Sequence, residues 1–225
     1  IDFRLKDERS KAKVFGVADF GWSKPSASAI IIYEPYSNCL YIDSEYYEVR
    51  KTKEQFAFDV DKMTKPYGGQ MKLTRPFFAD PAGEQKTFQA DGISAIESLQ
   101  TLGLLIEAAP KMGKAERMDR LGILIANGQL KISSRCVNLL HELSQYKWKE
   151  KRNVKISKVS DKSKLLPTEN DHLLDAISYL MTILPSNLKN LLTDEQFKET
   201  RIIRDYGPYS EDFVVKNDQN DYFSL

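Results

Sequence analysis

The sequence is poor in the features that most often assign a function at once. Only two cysteines occur, Cys39 and Cys136, without C-x-x-C spacing. Neither a disulfide framework nor a zinc site is therefore expected, and a reducing compartment is the default. No run of about 18 apolar residues is present, so a membrane span is not expected. The stretch KMGKAE (111–116) lacks the first glycine and the Ser/Thr of a G-x-x-x-x-G-K-[ST] loop, and no such loop occurs elsewhere, which argues against P-loop ATP hydrolysis.

An excess of charge of one sign is also lacking over the chain as a whole. Lys and Arg number 33 against 32 Asp and Glu, which gives a net charge of +1. No overall field therefore indicates nucleic acid or membrane. Two segments depart from this balance: residues 147–164 hold eight basic and two acidic residues, and residues 194–221 hold eight acidic and four basic ones. Electrostatic recognition is therefore expected to be local.

The length of the chain and its 41% hydrophobic content fit one large, soluble, globular domain with an appendage. We expect a domain over residues 1–185 and a polar, acidic C-terminal tail over residues 186–225. Because the sequence begins at Ile1 rather than at Met, we expect it to be part of a longer protein.

The alternation of apolar and turn residues predicts an α/β domain. Three β-type runs, over 14–19, 28–33 and 40–47, are separated by turn material and favour an antiparallel meander. A strand at 76–80, a helix over 94–102 and a strand over 104–109 favour a parallel crossover. The remaining predicted elements are helices over 52–63, 116–126, 137–146 and 170–184 and a short strand over 130–133.

Three aspartates stand in comparable places in this pattern. Asp19 ends the first strand, Asp80 ends the strand at 76–80, and Asp175 lies in the first turns of the last helix. Parallel neighbouring strands place their carboxyl ends together, and a helix packed on the sheet can add a third carboxylate. Crowded carboxylates repel one another unless a cation neutralises them. Oxygen ligands suit Mg²⁺ or Mn²⁺, and two such ions about 4 Å apart can act on a phosphodiester.

His172 lies three residues before Asp175, so both side chains share one face of the helix. Metal binding and proton transfer are both open to it. A single aspartate at a strand end is more often a turn or capping residue, and a lone histidine at a helix start is more often a cap. Only the combination of these residues is therefore informative.

Four stretches of the sequence resemble the nuclease domain of tailed-phage terminase large subunits, the DNA-packaging motors. They are GVADFG (16–21), FFADPAGEQ (77–85), RLGILIANGQLKISSRCVNLLHELSQYKW (120–148) and NDHLLDAISYL (170–180). The resemblance covers residues 13–184 and implies an RNase H-like fold, with a mixed central β-sheet flanked by helices. It also implies site residues: acidic metal ligands at Asp19, Asp80 and Asp175, an active-site histidine at His172, and secondary candidates at Glu84 and Asp171.

The same resemblance implies a metal-dependent endonuclease that cuts double-stranded DNA during phage genome packaging. Two Mg²⁺ or Mn²⁺ ions would serve phosphodiester hydrolysis, with Asp19 bridging both, Asp80 and Asp175 each holding one, and His172 assisting. Terminase large subunits carry an ATPase domain ahead of the nuclease. That domain of the same polypeptide, the small terminase subunit and the portal are the implied partners, in the host-cell cytoplasm and away from membranes.

The basic segment 147–164 is the predicted DNA contact. Val154, Ile156 and Val159 alternate among its charges, which favours a β-ribbon, although a charge run is most often a solvated loop. We expect four of its side chains to contact phosphate rather than bases: Lys151, Arg152, Lys155 and Lys158.

Other functions remain open from the residues alone. Residues 13–33 also fit the first strands of actin-like ATPases and sugar kinases, but no second Gly-rich phosphate loop follows. A resolvase or transposase of RNase H-like fold shares the carboxylates without the 120–148 stretch. A non-catalytic module that docks DNA or a portal is the alternative outside the enzymes, and cleavage of plasmid DNA would separate it from a nuclease.

Overall fold

The computed structural model describes residues 12–86, 92–146, 149–150, 165–166 and 171–193. Its strands are β1 (Lys13–Asp19), β2 (Ser26–Glu34), β3 (Cys39–Glu48), β4 (Phe77–Ala79), β5 (Ile106–Ala108), β6 (Leu130–Ile132), β7 (Lys149–Glu150) and β8 (Leu165–Leu166). Its α-helices are α1 (Lys53–Thr64), α2 (Ala95–Thr101), α3 (Lys114–Ala126), α4 (Val137–Gln145) and α5 (His172–Leu180). Short 3₁₀ helices cover Lys65–Tyr67, Gln70–Lys72, Pro81–Glu84 and Leu188–Leu192.

A mixed six-stranded sheet in the order β5-β4-β1-β2-β3-β6 forms the centre of the domain. The predicted meander is confirmed, because β1 pairs antiparallel with β2 and β2 pairs antiparallel with β3. The predicted crossover is also confirmed: β4 and β5 are parallel and α2 connects them. In addition, β4 pairs in parallel with β1, and β6 with β3. This topology places the carboxyl ends of β1 and β4 side by side.

Both faces of the sheet are covered, as the near-continuous apolar runs of β1 and β2 require. On one face Phe15 and Val17 belong to a core with α3, α4 and α5. On the other face Val14 and Ala18 belong to a core with α1 and α2. The period of two along β1 therefore divides its side chains between two hydrophobic layers.

Helix α5 is the central element of the first layer. Seven of its residues are buried: Leu173, Leu174, Ala176, Ile177, Ser178, Tyr179 and Leu180. A helix that is apolar on nearly all sides belongs in a protein interior, and α5 packs across β1 and β2. Its polar first turn is thereby held next to the carboxyl end of β1.

Two helices differ from the sequence predictions by two residues or more at an end, and α5 also begins at His172 rather than at residue 170. Helix α3 begins at Lys114, two residues before the predicted start, because the Arg117 N–H bonds to the carbonyl of Gly113. Helix α5 ends at Leu180 rather than at residue 184, since the N–H groups of Met181 and Thr182 bond three residues back. Such tightening of a last turn is common near a proline, here Pro185.

The chain continues to pack on the domain beyond Pro185, with Leu188 and Leu191 buried in the core beside α5. The predicted domain limit at residue 185 stays a prediction, and residues 194–225 lie outside the described part. Within that part, no helix is both long enough and apolar enough to cross a bilayer.

Candidate active site

The structure places Asp19 and Asp80 at the ends of neighbouring parallel strands. Ala18 of β1 is paired with Ala79 of β4, and each is followed directly by one of the two aspartates. Asp80 also caps the 3₁₀ helix that follows, since its Oδ1 accepts a hydrogen bond from the Ala82 N–H at 2.9 Å. The predicted meeting of these two carboxylates at one edge of the sheet is therefore present.

Helix α5 brings His172 to Asp19, because the first turn of the helix lies over the end of β1. His172 Nδ1 is 3.3 Å from Asp19 Oδ2, and with the carboxylate as acceptor the imidazole is the donor. This hydrogen bond raises the pKa of His172 above its ordinary value, although burial opposes it. Burial raises the pKa of Asp19, the hydrogen bond from His172 lowers it in part, and the nearby charge of Asp80 raises it further.

The start of α5 is fixed by a buried glutamate on a different helix. Glu142 of α4 accepts hydrogen bonds from the Leu173 N–H at 3.2 Å and from the Leu174 N–H at 3.0 Å. Asp171 stands at the N-cap position but makes no side-chain capping bond. Glu142 therefore satisfies two of the N–H groups that a helix leaves open at its first turn, and it orients the turn that carries His172.

Asp175 is held by two cations of α3. Its Oδ2 accepts a short hydrogen bond from Lys114 Nζ, and its Oδ1 lies 3.4 Å from Arg117 Nη2. Lys114 Nζ also contacts Asp171 Oδ2 at 2.9 Å. Burial raises the pKa of Asp175, and the charge of Lys114 opposes this. The third carboxylate is thus neutralised by protein groups.

The phenol of Tyr179 is close enough to Asp19, Asp80 and Asp175 for their charges to affect its pKa. Burial is the main cause of its raised pKa, and the charges of Asp19, Asp80 and Asp175 raise the pKa further. The three carboxylates therefore share one neighbourhood. Among the described residues, however, no three His, Cys, Asp or Glu side chains are already arranged as a metal-binding group. On the side of α5, both oxygens of Asp175 face cations of α3.

The chemistry of the site nevertheless suits a divalent ion. Asp19 and Asp80 supply the hard oxygen atoms that Mg²⁺ and Mn²⁺ prefer. His172 Nε2 is buried and has no hydrogen-bond partner in the described part of the chain. A buried polar atom of this kind is normally satisfied, and an imidazole nitrogen with a lone pair is a metal or water ligand. The donor set fits a metal centre that is incomplete while Asp175 is held by α3.

The other predicted site residues have different surroundings. Glu84 is exposed at the end of the 3₁₀ helix that follows Asp80. The four predicted DNA contacts of the basic segment, Lys151, Arg152, Lys155 and Lys158, lie outside the described residues. Of the segment 147–164 the structure describes only β7, which pairs antiparallel with β8 directly after the segment, and the ribbon stays a prediction.

Sequence reasoning missed three side chains of this site. Tyr179 could have been predicted, because it lies four residues after Asp175 and shares its helix face. Lys114 and Arg117 carried no signal, because their role depends on how α3 packs against α5. The stretch KMGKAE, which contains Lys114, resembles only an incomplete phosphate loop.

Comparisons with known proteins concern the sequence and the fold as a whole. No protein-family model matches the chain. The large terminase subunit of Escherichia phage T5 is 28% identical over 179 residues, which cover 78% of this chain and 36% of that protein. The chain thus spans about a third of the length of this curated relative.

Two solved structures share the fold. The nuclease domain of the P22 large terminase matches with a TM-score of 0.60 and 17% identity, over 84% of this chain and 90% of that domain. The nuclease domain of the large terminase g2p of bacteriophage SPP1, with bound Mn, matches with a TM-score of 0.53 and 19% identity, over 74% and 84%. The chain is therefore a relative of the phage terminase large subunits, and its described part has the RNase H-like fold of their nuclease domains.

Proposed function

We propose that this domain is a divalent-metal-dependent endonuclease that cuts double-stranded DNA during phage genome packaging. The observation that carries the proposal is the placement of Asp19 and Asp80 at adjacent parallel strand ends, with α5, which carries Asp175, packed against both strands. The relationship to the phage T5 large terminase supports it, and so does the bound Mn of the SPP1 nuclease domain of the same fold.

The proposed mechanism divides the work among residues of this chain. Asp19, Asp80 and Asp175 would hold the divalent ions through their carboxylate oxygens. Two bound Mg²⁺ or Mn²⁺ ions would supply an activated water and stabilise the charge on the attacking and leaving oxygens. His172 would fix the orientation of the Asp19 carboxylate through its hydrogen bond, as partners of metal ligands commonly do.

The wider setting follows from the family relationship. We infer that the partners are double-stranded DNA, an ATPase domain of the same polypeptide, the small terminase subunit and the portal, in the cytoplasm of the host cell. The limits of the nuclease domain at residues 1 and 185, with the acidic tail after it, remain part of this proposal.

A non-catalytic DNA or portal docking module is the second candidate. The observation that favours it is the ion pairing of Asp175 with Lys114 and Arg117, since a carboxylate neutralised by the protein does not need a metal ion. In that case the domain would bind DNA in the presence of Mn²⁺ without cutting it.

Cleavage of supercoiled plasmid tests the two candidates. Wild-type protein should nick and linearise the plasmid with Mg²⁺ or Mn²⁺ and not with EDTA. Asp19→Asn, Asp80→Asn and Asp175→Asn should each reduce cleavage to background, because each removes a metal ligand while preserving side-chain shape. The matched control is Asp59→Asn on α1, which should cut at the wild-type rate. Wild-type-like cleavage by any of the three variants would remove that residue from the site.

A further inference from the structure

Lys114, Arg117, Asp171 and Asp175 form an ion cluster between α3 and α5, which we name the α3–α5 cluster. Lys114 Nζ bonds to both Asp171 Oδ2 and Asp175 Oδ2, and Arg117 Nη2 faces Asp175 Oδ1. The exposed fractions of the four side chains are 28% for Lys114, 11% for Asp171, 18% for Asp175 and 9% for Arg117. Two cations and two anions are thus balanced in a mostly buried place, where charge pairs are screened less than at the surface.

The two cations of the cluster differ in how firmly they are held. The Arg117 guanidinium carbon lies 4.3 Å from the centre of the Tyr179 ring. Arg117 Nη1 also lies 3.5 Å from the Met112 carbonyl oxygen, so its planar group has contacts on more than one side. Lys114 stands at the first position of α3, and its ammonium is a point charge on a flexible stem. Lys114 is therefore the cation that can leave with least disturbance of the fold.

A metal ion bound by Asp175 would have to share this carboxylate with Lys114 or replace it. Asp175 Oδ2 is directed to the lysine ammonium, and its other oxygen faces Arg117. The charge of Lys114 also reaches Asp19, whose pKa it lowers slightly against the larger effect of burial. A divalent ion shared by Asp19 and Asp175 would therefore meet a resident positive charge, and like charges at close range repel.

We propose that Lys114 is a displaceable counter-ion for Asp175. Its ammonium neutralises the third carboxylate while no metal ion is bound there, and it withdraws when a divalent ion takes that carboxylate. This inference rests on the proposed function and adds a form of regulation to it. The position at Asp175 then fills less readily than the one between Asp19 and Asp80, so the domain holds its second ion only when that ion outcompetes Lys114.

Mn²⁺ binding without DNA tests this directly, by calorimetry or by the loss of the electron paramagnetic resonance signal of free Mn²⁺. Lys114→Met should bind the Asp175-dependent ion about tenfold more tightly than wild type, because a competing charge is gone. Adding Asp175→Asn to Lys114→Met should abolish the gain. The matched control is Lys111→Met, an exposed lysine three residues earlier, which should change the affinity less than about twofold.

Unchanged or weaker Mn²⁺ affinity in Lys114→Met would overturn the inference. If wild type still binds Mn²⁺ and cuts plasmid in that case, the proposed function stands and only the role of Lys114 falls. If neither protein binds Mn²⁺, both fall.

A measurement on unsubstituted protein covers the case in which Lys114→Met does not fold. The amines of the wild-type protein are labelled with ¹³C-methyl groups, and the Lys114 signal is assigned as the one missing from Lys114→Arg, which keeps the positive charge of the cluster. Saturating Mg²⁺ should move that signal to the position of exposed lysines and leave Lys111 unmoved. A Lys114 signal that stays in place while Mg²⁺ binds contradicts displacement.

Discussion

At the scale of single residues, the contact between His172 and Asp19 separates a positioning role from a capping role. His172 Nδ1 bonds to Asp19 rather than to the backbone of its own helix. We therefore predict that His172→Gln lowers Mn²⁺ affinity and cleavage by about 10 to 100-fold, the usual loss when the hydrogen-bond partner of a metal ligand is removed. Single-turnover cleavage across a Mn²⁺ titration measures both quantities.

The chain provides a close control for this prediction, since it contains only two histidines. His141 is exposed on α4 and its ring bonds to Gln145, away from the three aspartates. His141→Gln should therefore leave both the Mn²⁺ titration and the rate unchanged. If His172→Gln and His141→Gln have the same Mn²⁺ affinity and cleavage rate, the role of His172 is limited to the start of α5.

Among the elements, α5 depends on a neighbouring helix for its first turn. Glu142 is buried and accepts two of the α5 N–H groups. Glu142→Ala leaves both donors without a partner, and we predict a loss of about 1 to 3 kcal/mol in the free energy of unfolding. Because the same turn carries His172, cleavage should fall as well. Urea denaturation and plasmid cleavage measure the two effects.

The control for Glu142 is a glutamate that also accepts two backbone hydrogen bonds but is exposed to solvent. Glu34 accepts hydrogen bonds from the Tyr36 and Ser37 N–H groups in an exposed turn. Water replaces a lost acceptor there, so Glu34→Ala should change the free energy of unfolding by less than about 0.5 kcal/mol. Equal losses in the two variants would show that burial of the α5 cap is not what matters.

The parallel pair of β1 and β4 depends on a glycine. A Cβ atom at Gly16 would overlap the ring of Phe77, which is fully buried. Gly16→Ala should therefore destabilise the domain by about 1 to 3 kcal/mol, as overpacking of a core does. It should also reduce cleavage, because the strands that carry Asp19 and Asp80 must move apart.

The same substitution elsewhere should act in the opposite direction. Gly122 lies within α3, and a Cβ there would meet nothing within 4 Å. Gly122→Ala should stabilise the domain by about 0.5 to 1 kcal/mol, since alanine is the better helix former. Thermal denaturation of both variants checks the pair, and a loss of stability at Gly122 would contradict the packing described for α3.

These elements also mark how far the sequence could predict the site. Asp19 and Asp80 were predictable because strand ends follow from apolar runs and turn residues, and the parallel crossover follows from element order. The ion pair between Asp175 and Lys114 was not predictable, because it depends on the angle and register at which α3 packs on α5. Local sequence patterns predict the period of a strand and the caps of a helix. They do not predict contacts between helices that are distant in the sequence.

On the scale of the whole molecule, the basic segment 147–164 is the predicted path for DNA. Lys149 and Glu150 of this segment form β7, which pairs with β8 directly after the segment, and β8 precedes α5 in the chain. Replacing Lys151, Arg152, Lys155 and Lys158 with Ala should weaken duplex binding. It should also flatten the logarithmic salt dependence by about 2 to 4, since each neutralised phosphate contributes about 0.9. Fluorescence anisotropy with Ca²⁺ in place of Mg²⁺, over a series of salt concentrations, measures the slope.

A control variant with the same change of net charge separates the effect of this segment from that of the overall charge. Lys62, Lys72, Lys131 and Lys189 are exposed in other parts of the domain, and their replacement by Ala should leave the slope within about one unit of wild type. If both quadruple variants flatten the slope equally, the DNA follows the general charge of the domain and not this segment.

The central claim is that Asp19, Asp80 and Asp175 together hold the divalent ions of a DNA-cutting site. Anomalous diffraction from crystals soaked in Mn²⁺ tests it most directly, because the signal locates manganese without assumptions about the ligands. The account predicts two peaks about 4 Å apart, each about 2.2 Å from carboxylate oxygens, with Asp19 contacting both ions and Lys114 withdrawn from Asp175. Manganese bound elsewhere, or absent from Asp19 at saturating concentration, would contradict the account.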